Sequence, residues 1–436
     1  MQHSVQTWKS RQRCAFCDSL RLAPIEDFGA VALAGGFLKP DDFGAEERFP
    51  MRLAFCRDCF AVQLTDVVDP ELLFKRYFYF SSAIRTLREH FLDYATEVVS
   101  RFLDPGTATV VEIGCNDGIL LKPIADQGVR TVIGVDPATN VVAQVNDPRI
   151  SIINDFFNEA TGRRLADEYG AADLIVANNV FAHIADIRGV TNAIAQLLKA
   201  DGVFVFEVHY IGKIIHGLQY DMIYHEHLYY YSLLALENLF SRFGMTVFDV
   251  KAIAMHAGSM RYYVCKSSSF HAATPSCRVM NLRNEELGNG FDCHDTYVRF
   301  AADIYSRKVA LMALLTRLRS AGRRVVGYGA SGRANTIIQY CGISQEHMEY
   351  MVDDAAAKHG YYTPGSHFEI RPSSAIQEDP PDYLLVFAWG YYSEIAEKHR
   401  AFFEAGGRMI LPLPDVRVIY QPMTDTPAIT TQRHTS

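Results

Sequence analysis

Between residues 109 and 207, four short apolar runs alternate with helical stretches, and no other feature narrows the possible folds as far. The runs are Thr109–Gly114, Thr131–Asp136, Ala172–Asn178 and Gly202–Glu207. Each has the length and content of a buried strand. Strand and helix taken in turn give a doubly wound α/β sheet. Helical apolar spacing over Ala83–Phe102 leads into the first run. A second α/β unit follows. Tyr305–Ser320 reads as an amphipathic helix and Arg324–Gly329 as a strand, with further strands expected at His347–Val352, Tyr383–Phe387 and Arg408–Leu413. Residues 266–300 are polar and give no clear pattern. The end, Gln421–Ser436, is rich in Thr and Pro and is expected to be disordered.

The 436 residues suffice for about three domains. Apolar residues make up 49% and charged residues 21%, so a sizeable core can be buried. The net charge of -8 and a pI near 6.0 argue against a nucleic-acid partner held by bulk charge. No apolar run reaches the roughly 18 residues of a membrane span. The N-terminus lacks the apolar core of a signal peptide. A cytoplasmic protein is expected, with its nine cysteines mostly reduced.

Four of those cysteines form two identical pairs, Cys14-x-x-Cys17 and Cys56-x-x-Cys59. Two thiolates on each of two tight knuckles can close a tetrahedron around zinc. A redox CxxC would open a helix in a βαβ unit, and nothing around these pairs has that pattern. Four cysteine ligands leave no open position, so the metal is expected to be structural. The domains expected are 1–70 for zinc, 71–268 for the first α/β unit and 269–420 for the second, before the tail.

Val111-Glu112-Ile113-Gly114-Cys115-Asn116-Asp117-Gly118 ends the first strand. Gly114 and Gly118 suit a sharp strand-to-helix turn close to a ligand. Asp136 closes the next strand, where an acid can bond ribose hydroxyls. The loop lacks the third glycine of a dinucleotide fingerprint. Glu112 suits the cationic amino and sulfonium groups of S-adenosylmethionine better than a phosphate. Asp155 and Phe156 follow the next apolar run, where an acid beside an aromatic can hold adenine. Asn116, Asp117 and Asn178 complete the expected cofactor set.

Tyr224-His225-Glu226-His227-Leu228 poses a different question. A zinc protease needs H-E-x-x-H, with both histidines on one helical face. Here the two imidazoles would point about 200° apart on a helix. On a strand they would share a face, but no third metal ligand is obvious nearby. Buried, satisfied histidines remain the plain alternative.

Taken together, the Cys pairs, VEIGCNDG, YHEH and a later Gly327-Tyr328-Gly329-Ala330-Ser331-Gly332-Arg333 loop resemble one family. It is the sugar C-methyltransferases that methylate C-3' of nucleotide-linked 4-keto-6-deoxy sugars. The likeness runs from about Cys14 to about residue 418. It implies a zinc-binding domain, a class I methyltransferase Rossmann-like domain and a second Rossmann-like domain that grips the sugar nucleotide. It implies His227 as the base, Glu226 as its aid, and Tyr224 as donor to an enolate or a sugar hydroxyl. His183 matches the histidine after the third strand. A tyrosine before Ser81-Ser82 lines the same pocket; Tyr77 and Tyr79 compete for that place. His256 and Arg261 fall in a motif that usually reads H-G-G-x-x-R and here reads His256-Ala257-Gly258-Ser259-Met260-Arg261. In the last domain, Tyr328, Arg333, Asp354, Lys358 and Trp389 are the expected substrate contacts, with Arg333 suited to a diphosphate.

The chemistry is coherent. A ketone at C-4 makes the neighbouring C–H acidic, and histidine is a suitable base near neutral pH. The enolate oxygen then wants aimed donors and little water. A nucleotide sugar is the expected partner, without nucleic acid or membrane, for a monomer or weak homo-oligomer. Two other readings compete: an NAD(P)-dependent sugar-nucleotide oxidoreductase built on the later glycine loop, and a non-catalytic zinc-knuckle adaptor.

Overall fold

The computed structural model describes residues 7–75, 81–83, 85–255 and 258–422. They pack as two compact units. The first holds the described residues of Met1–Ala23, Ala54–Tyr210 and Leu228–His294; the second holds those of Pro24–Leu53, Ile211–His227 and Asp295–Ser436.

The first unit is built on a seven-stranded sheet. Its order is Ile150–Ile153, Thr131–Val135, Thr109–Ile113, Ala172–Asn178, Leu198–His209, Ser259–Lys266, Met245–Ile253. The first five strands are parallel. Ser259–Lys266 runs antiparallel to both its neighbours. All four strands expected from the sequence are present. Thr109–Ile113 is buried at every residue, as a central strand covered on both faces must be. Helix Arg85–Phe102 buries Leu87, Phe91, Tyr94, Ala95, Val98 and Val99, one stripe at helical spacing. That stripe joins Val110, Leu174, Val176, Val203 and Val205 in one core.

Strand order reverses at Thr109–Ile113, which has its successor on one side and Ala172–Asn178 on the other. Sheets of this kind bind ligands at such a reversal, beyond the carboxyl ends of the strands. Gly114 and Asn178 stand at those ends.

The second unit has a six-stranded sheet ordered Ile370–Pro372, Met351–Asp353, Val325–Tyr328, Tyr383–Val386, Arg408–Leu411, Arg417–Ile419. It is parallel except for the last strand. The strand expected at His347–Val352 starts later. His347 N donates to Ser344 O at 2.8 Å, and the Ser344 hydroxyl meets His347 Nδ1 at 3.0 Å, so those residues close a turn instead. The expected helix is longer, His294–Ser320. The patternless stretch before it holds Phe270–Ala273 and Cys277–Gly288, N-capped by Ser269 and Ser276. Among the described residues no helix is long and apolar enough to cross a membrane.

Candidate active site

The two Cys pairs fold alike. Asp18 N donates to Cys14 O and Phe60 N to Cys56 O, each at 2.9 Å. Asp18 and Phe60 both turn to positive φ, 63° and 64°. These matched knuckles bring the four Sγ atoms within 4.8 Å of one another. Cys14 Sγ lies 3.5 Å from Cys59 Sγ, and Cys17 Sγ 3.5 Å from Cys56 Sγ. Sulfurs tetrahedral about zinc would stand about 3.8 Å apart. As free thiols the sulfurs share protons unequally: the bond with Cys56 and burial raise the Cys14 thiol, and bonds from Cys14 and Cys59 lower that of Cys56. Four thiolates here require a cation, and the set fits zinc. Gln63 Nε2 donates to Cys14 Sγ at 3.1 Å and orients that ligand.

The first glycine loop forms a cradle of acids. Gly114 has φ +70°, and a Cβ there would stand 2.6 Å from Val180 Cγ2, so only glycine serves. Gly118 N closes the loop on Cys115 O at 3.0 Å. Glu112 is 2% exposed, and its Oε1 accepts from Asn178 Nδ2 at 3.4 Å. Asp136 accepts from Asn116 N at 2.9 Å and Ala138 N at 2.8 Å. Asp117 Oδ2 accepts from Ser82 N at 3.0 Å, and Asn116 Oδ1 from Ser81 N at 3.1 Å. The Ser pair expected near a substrate therefore braces this loop through its backbone. Burial pushes the Glu112 carboxyl well above its usual 4.5; the Asn178 bond lowers it, and Asp136 and Asp117 raise it further. Glu112 Oε2, Asp117 Oδ1 and Asn178 Oδ1 are buried without partners. Clustered acids with unmet acceptors suit a ligand bearing positive charge and N–H groups, as S-adenosylmethionine does. Asp155 is exposed and accepts from Phe156 N at 2.7 Å, beside the half-buried Phe156.

YHEH is neither helix nor strand. His227 N donates to Tyr224 O at 2.9 Å and closes a turn. His225 is 1% exposed, and its Nε2 donates to Pro50 O at 3.2 Å. His227 is 5% exposed, and its Nδ1 donates to Met222 O at 2.7 Å. A carbonyl can only accept, so Nδ1 carries a proton, and in the neutral tautomer the basic nitrogen is Nε2. The Tyr224 ring lies 4.0 Å from the His227 ring, centre to centre. Glu226 lies beside Gly35, where a Cβ would stand 3.6 Å from Glu226 Oε1. Among the described residues, the one metal-type cluster of His, Cys, Asp and Glu is the four cysteines.

In the first unit, the chain leaving this turn is pinned on both sides. Leu228 N donates to Ala182 O, and Leu64 N to Leu228 O, each at 2.9 Å. Ala182 adjoins His183, whose ring stacks on Phe74 at 5.4 Å. Tyr229–Tyr230 then pairs with Val62–Leu64, just beyond the second cysteine knuckle.

The other expected residues divide. Tyr77, Tyr79 and His256 lie outside the described residues. The Arg261 side chain is 2% exposed and serves the interior: its Nε donates to Glu207 Oε1 at 2.7 Å and its Nη1 to Glu97 Oε2 at 2.9 Å. Glu207 also meets His90 Nε2 at 2.8 Å. Tyr328 OH donates to Asp354 Oδ2 at 2.8 Å. Burial opposes ionisation of Asp354, but bonds from Lys398, Ser373 and Tyr328 hold it down to about 2. Lys358 Nζ donates to Ala330 O at 2.7 Å and Asp353 Oδ2 at 3.1 Å. Arg333 Nε and Trp389 Nε1 both donate to Asp221 Oδ2, at 2.8 and 2.9 Å. Glu207 and Asp221 gave no sequence signal, since each is one acid in an unremarkable stretch.

Known proteins match this arrangement along the chain. Residues 14–74 match a zinc binding domain, 86–250 a methyltransferase domain and 254–414 a C-methyltransferase C-terminal domain. The C-methyltransferase NovU of Streptomyces niveus is 33% identical over 407 residues, 93% of this chain and 96% of that one. A ubiquinone biosynthesis O-methyltransferase of Bartonella tribocorum is 32% identical over 152 residues, 32% of this chain and 61% of that protein. The magnesium protoporphyrin IX methyltransferase of Synechocystis PCC 6803, solved with S-adenosylmethionine bound, is 13% identical, covers 41% of this chain and 79% of that one, and has a TM-score of 0.31. A likeness that distant carries no argument, but the full-length relative and the ordered domain matches do. This chain belongs to the S-adenosylmethionine-dependent C-methyltransferases.

Proposed function

We propose that this enzyme methylates C-3' of a nucleotide-linked 4-keto-6-deoxy sugar through an enolate, with His227 as the base. The observation that carries this reading is the Nδ1 bond to Met222 O, which fixes the ring and makes Nε2 the nitrogen that accepts a proton when the imidazole is neutral. Nε2 takes the C-3' proton, and the electron pair moves onto the C-4' carbonyl oxygen. Tyr224, packed on the imidazole, donates to that oxygen or to a sugar hydroxyl. Glu226, its neighbour in the turn, orients or assists the base. Bound S-adenosylmethionine supplies the methyl group as an electrophile. Glu112, Asp117 and Asn178 would hold its charged end, and the zinc site keeps a structural role. Reduced cysteines fit a cytoplasmic setting.

Incubation with S-adenosylmethionine and a panel of nucleotide 4-keto sugars tests this directly. Mass spectrometry is expected to find one added methyl on a 4-keto-6-deoxy member, at C-3' by NMR. Methylation at oxygen, or none on any ketosugar, would contradict it.

The acid cradle makes a separate prediction. Glu112→Gln is expected to weaken S-adenosylmethionine binding by about 1.5–3 kcal/mol, roughly 10- to 100-fold, through one lost charge-assisted contact. Because burial raises the Glu112 carboxyl, it binds its proton more tightly folded than unfolded. Its contribution to stability is therefore full below 4.5 and lost as pH rises from there through the folded value. Cofactor binding should release this proton and tighten as pH rises over the same window. Calorimetry in buffers of differing ionisation enthalpy reads the release, and Glu112→Gln should abolish it.

A further inference from the structure

The Asp221 side chain is fully buried, and a buried carboxylate needs close compensation. Arg333 Nε and Trp389 Nε1 supply it at one oxygen, and the Arg333 guanidinium also sits 5.1 Å from the Trp389 ring centre. Two residues on, Ile223 O accepts from Thr336 Oγ1 at 2.9 Å. Arg333 and Thr336 belong to the same helix, Gly332–Cys341. At its first residue a Cβ would stand 3.2 Å from Ala34 Cβ and 3.8 Å from Tyr224 Cζ, so the bare helix start is what Tyr224 packs against. Tyr220 OH meets Cys341 Sγ at the far end, 3.6 Å away.

These contacts share one target. Asp221 and Ile223 flank Met222, and the Met222 carbonyl is the group that holds His227 Nδ1. We infer that Asp221, Arg333, Trp389 and Thr336 form a positioning device that aims the Met222 carbonyl, and through it the His227 imidazole. The later glycine loop then serves as a seat for the YHEH turn, and Arg333 through Nε and Trp389 through Nε1 act on Asp221 inside the protein. The inference rests on the reading of His227 as the base. Its logic is that of a fixed second partner on a catalytic histidine: an imidazole free to rotate spends less time in the reactive pose.

Two mild variants test it. Trp389→Phe keeps an aromatic side chain, though a smaller one, and removes one donor to Asp221. Thr336→Val keeps the shape and removes the donor to Ile223. Each is expected to lower kcat by about 10- to 100-fold, the loss typical of a small misplacement. KM for the nucleotide sugar and affinity for S-adenosylhomocysteine should stay unchanged. The double variant should lose less than the product of the single losses, because both act on one carbonyl. A rise in KM at unchanged kcat would overturn the inference and return these residues to the substrate. A fall in Tm with kcat and KM both unchanged would overturn it as well. His227→Ala separates the two claims: if it retains turnover, the base reading itself fails. If it is inactive while Trp389→Phe and Thr336→Val keep full kcat, only the positioning inference fails.

Discussion

His227→Ala lowers methyl transfer by about 10²- to 10⁴-fold, the range a positioned general base contributes. Calorimetric affinity for S-adenosylhomocysteine stays as it was, since no cofactor-cradle residue lies in the YHEH turn. The neighbouring histidine is the control. His225 Nε2 donates to Pro50 O from a site 1% exposed, so its alanine variant loses stability, whereas turnover per folded molecule persists. The two rings differ in the nitrogen each gives to a carbonyl and in the aromatic ring each meets. His227 uses Nδ1, not Nε2, on a carbonyl, and its ring lies 4.0 Å from that of Tyr224. Equal losses from the two variants would mean that the turn is merely structural.

Cys56→Ser releases the metal and lowers Tm by about 10 °C or more. Structural zinc in small cysteine sites is worth about 10 kcal/mol or more of binding free energy at neutral pH, so losing even a third of that shifts the midpoint this far. The effect should spread beyond the knuckles. Gln63, which donates to Cys14 Sγ, lies in the strand that pairs with Tyr229–Tyr230, and Leu64 N holds Leu228 O. Loosening the knuckle therefore loosens the chain next to His227. Zinc analysis and a thermal melt check the first claim, and residual kcat in the surviving folded fraction checks the second. A variant with full stability and no bound metal would refute the structural site.

Much of this was legible in the sequence because it depends on local pattern. Thr109–Ile113, Thr131–Val135 and Ala172–Asn178 are short, apolar and bounded by glycine or polar residues, so length alone separates them from helices. Two equal Cys spacings gave the metal knuckles. The illegible parts depend on distant contacts. Asp221 and Arg333 are 112 positions apart, and no periodicity joins a lone acid to a lone arginine. That pair is one reason the segment Ile211–His227 belongs to the second unit, although in sequence it follows the last strand of the first sheet's parallel set. Arg261 misleads for the opposite reason. A conspicuous arginine near the end of a motif reads as a substrate contact, yet Glu207 and Glu97 claim it in the interior. Charge seen in sequence carries no record of burial.

Proton removal from carbon by His227 is the step that methyl transfer to C-3' requires first. In D₂O with S-adenosylhomocysteine replacing the methyl donor, the wild-type enzyme is expected to place deuterium at C-3' of the recovered 4-keto sugar, read by NMR, and His227→Ala is expected to place none. Deuterium entering at C-3' equally fast in the variant, or not at all with the wild type, would contradict it.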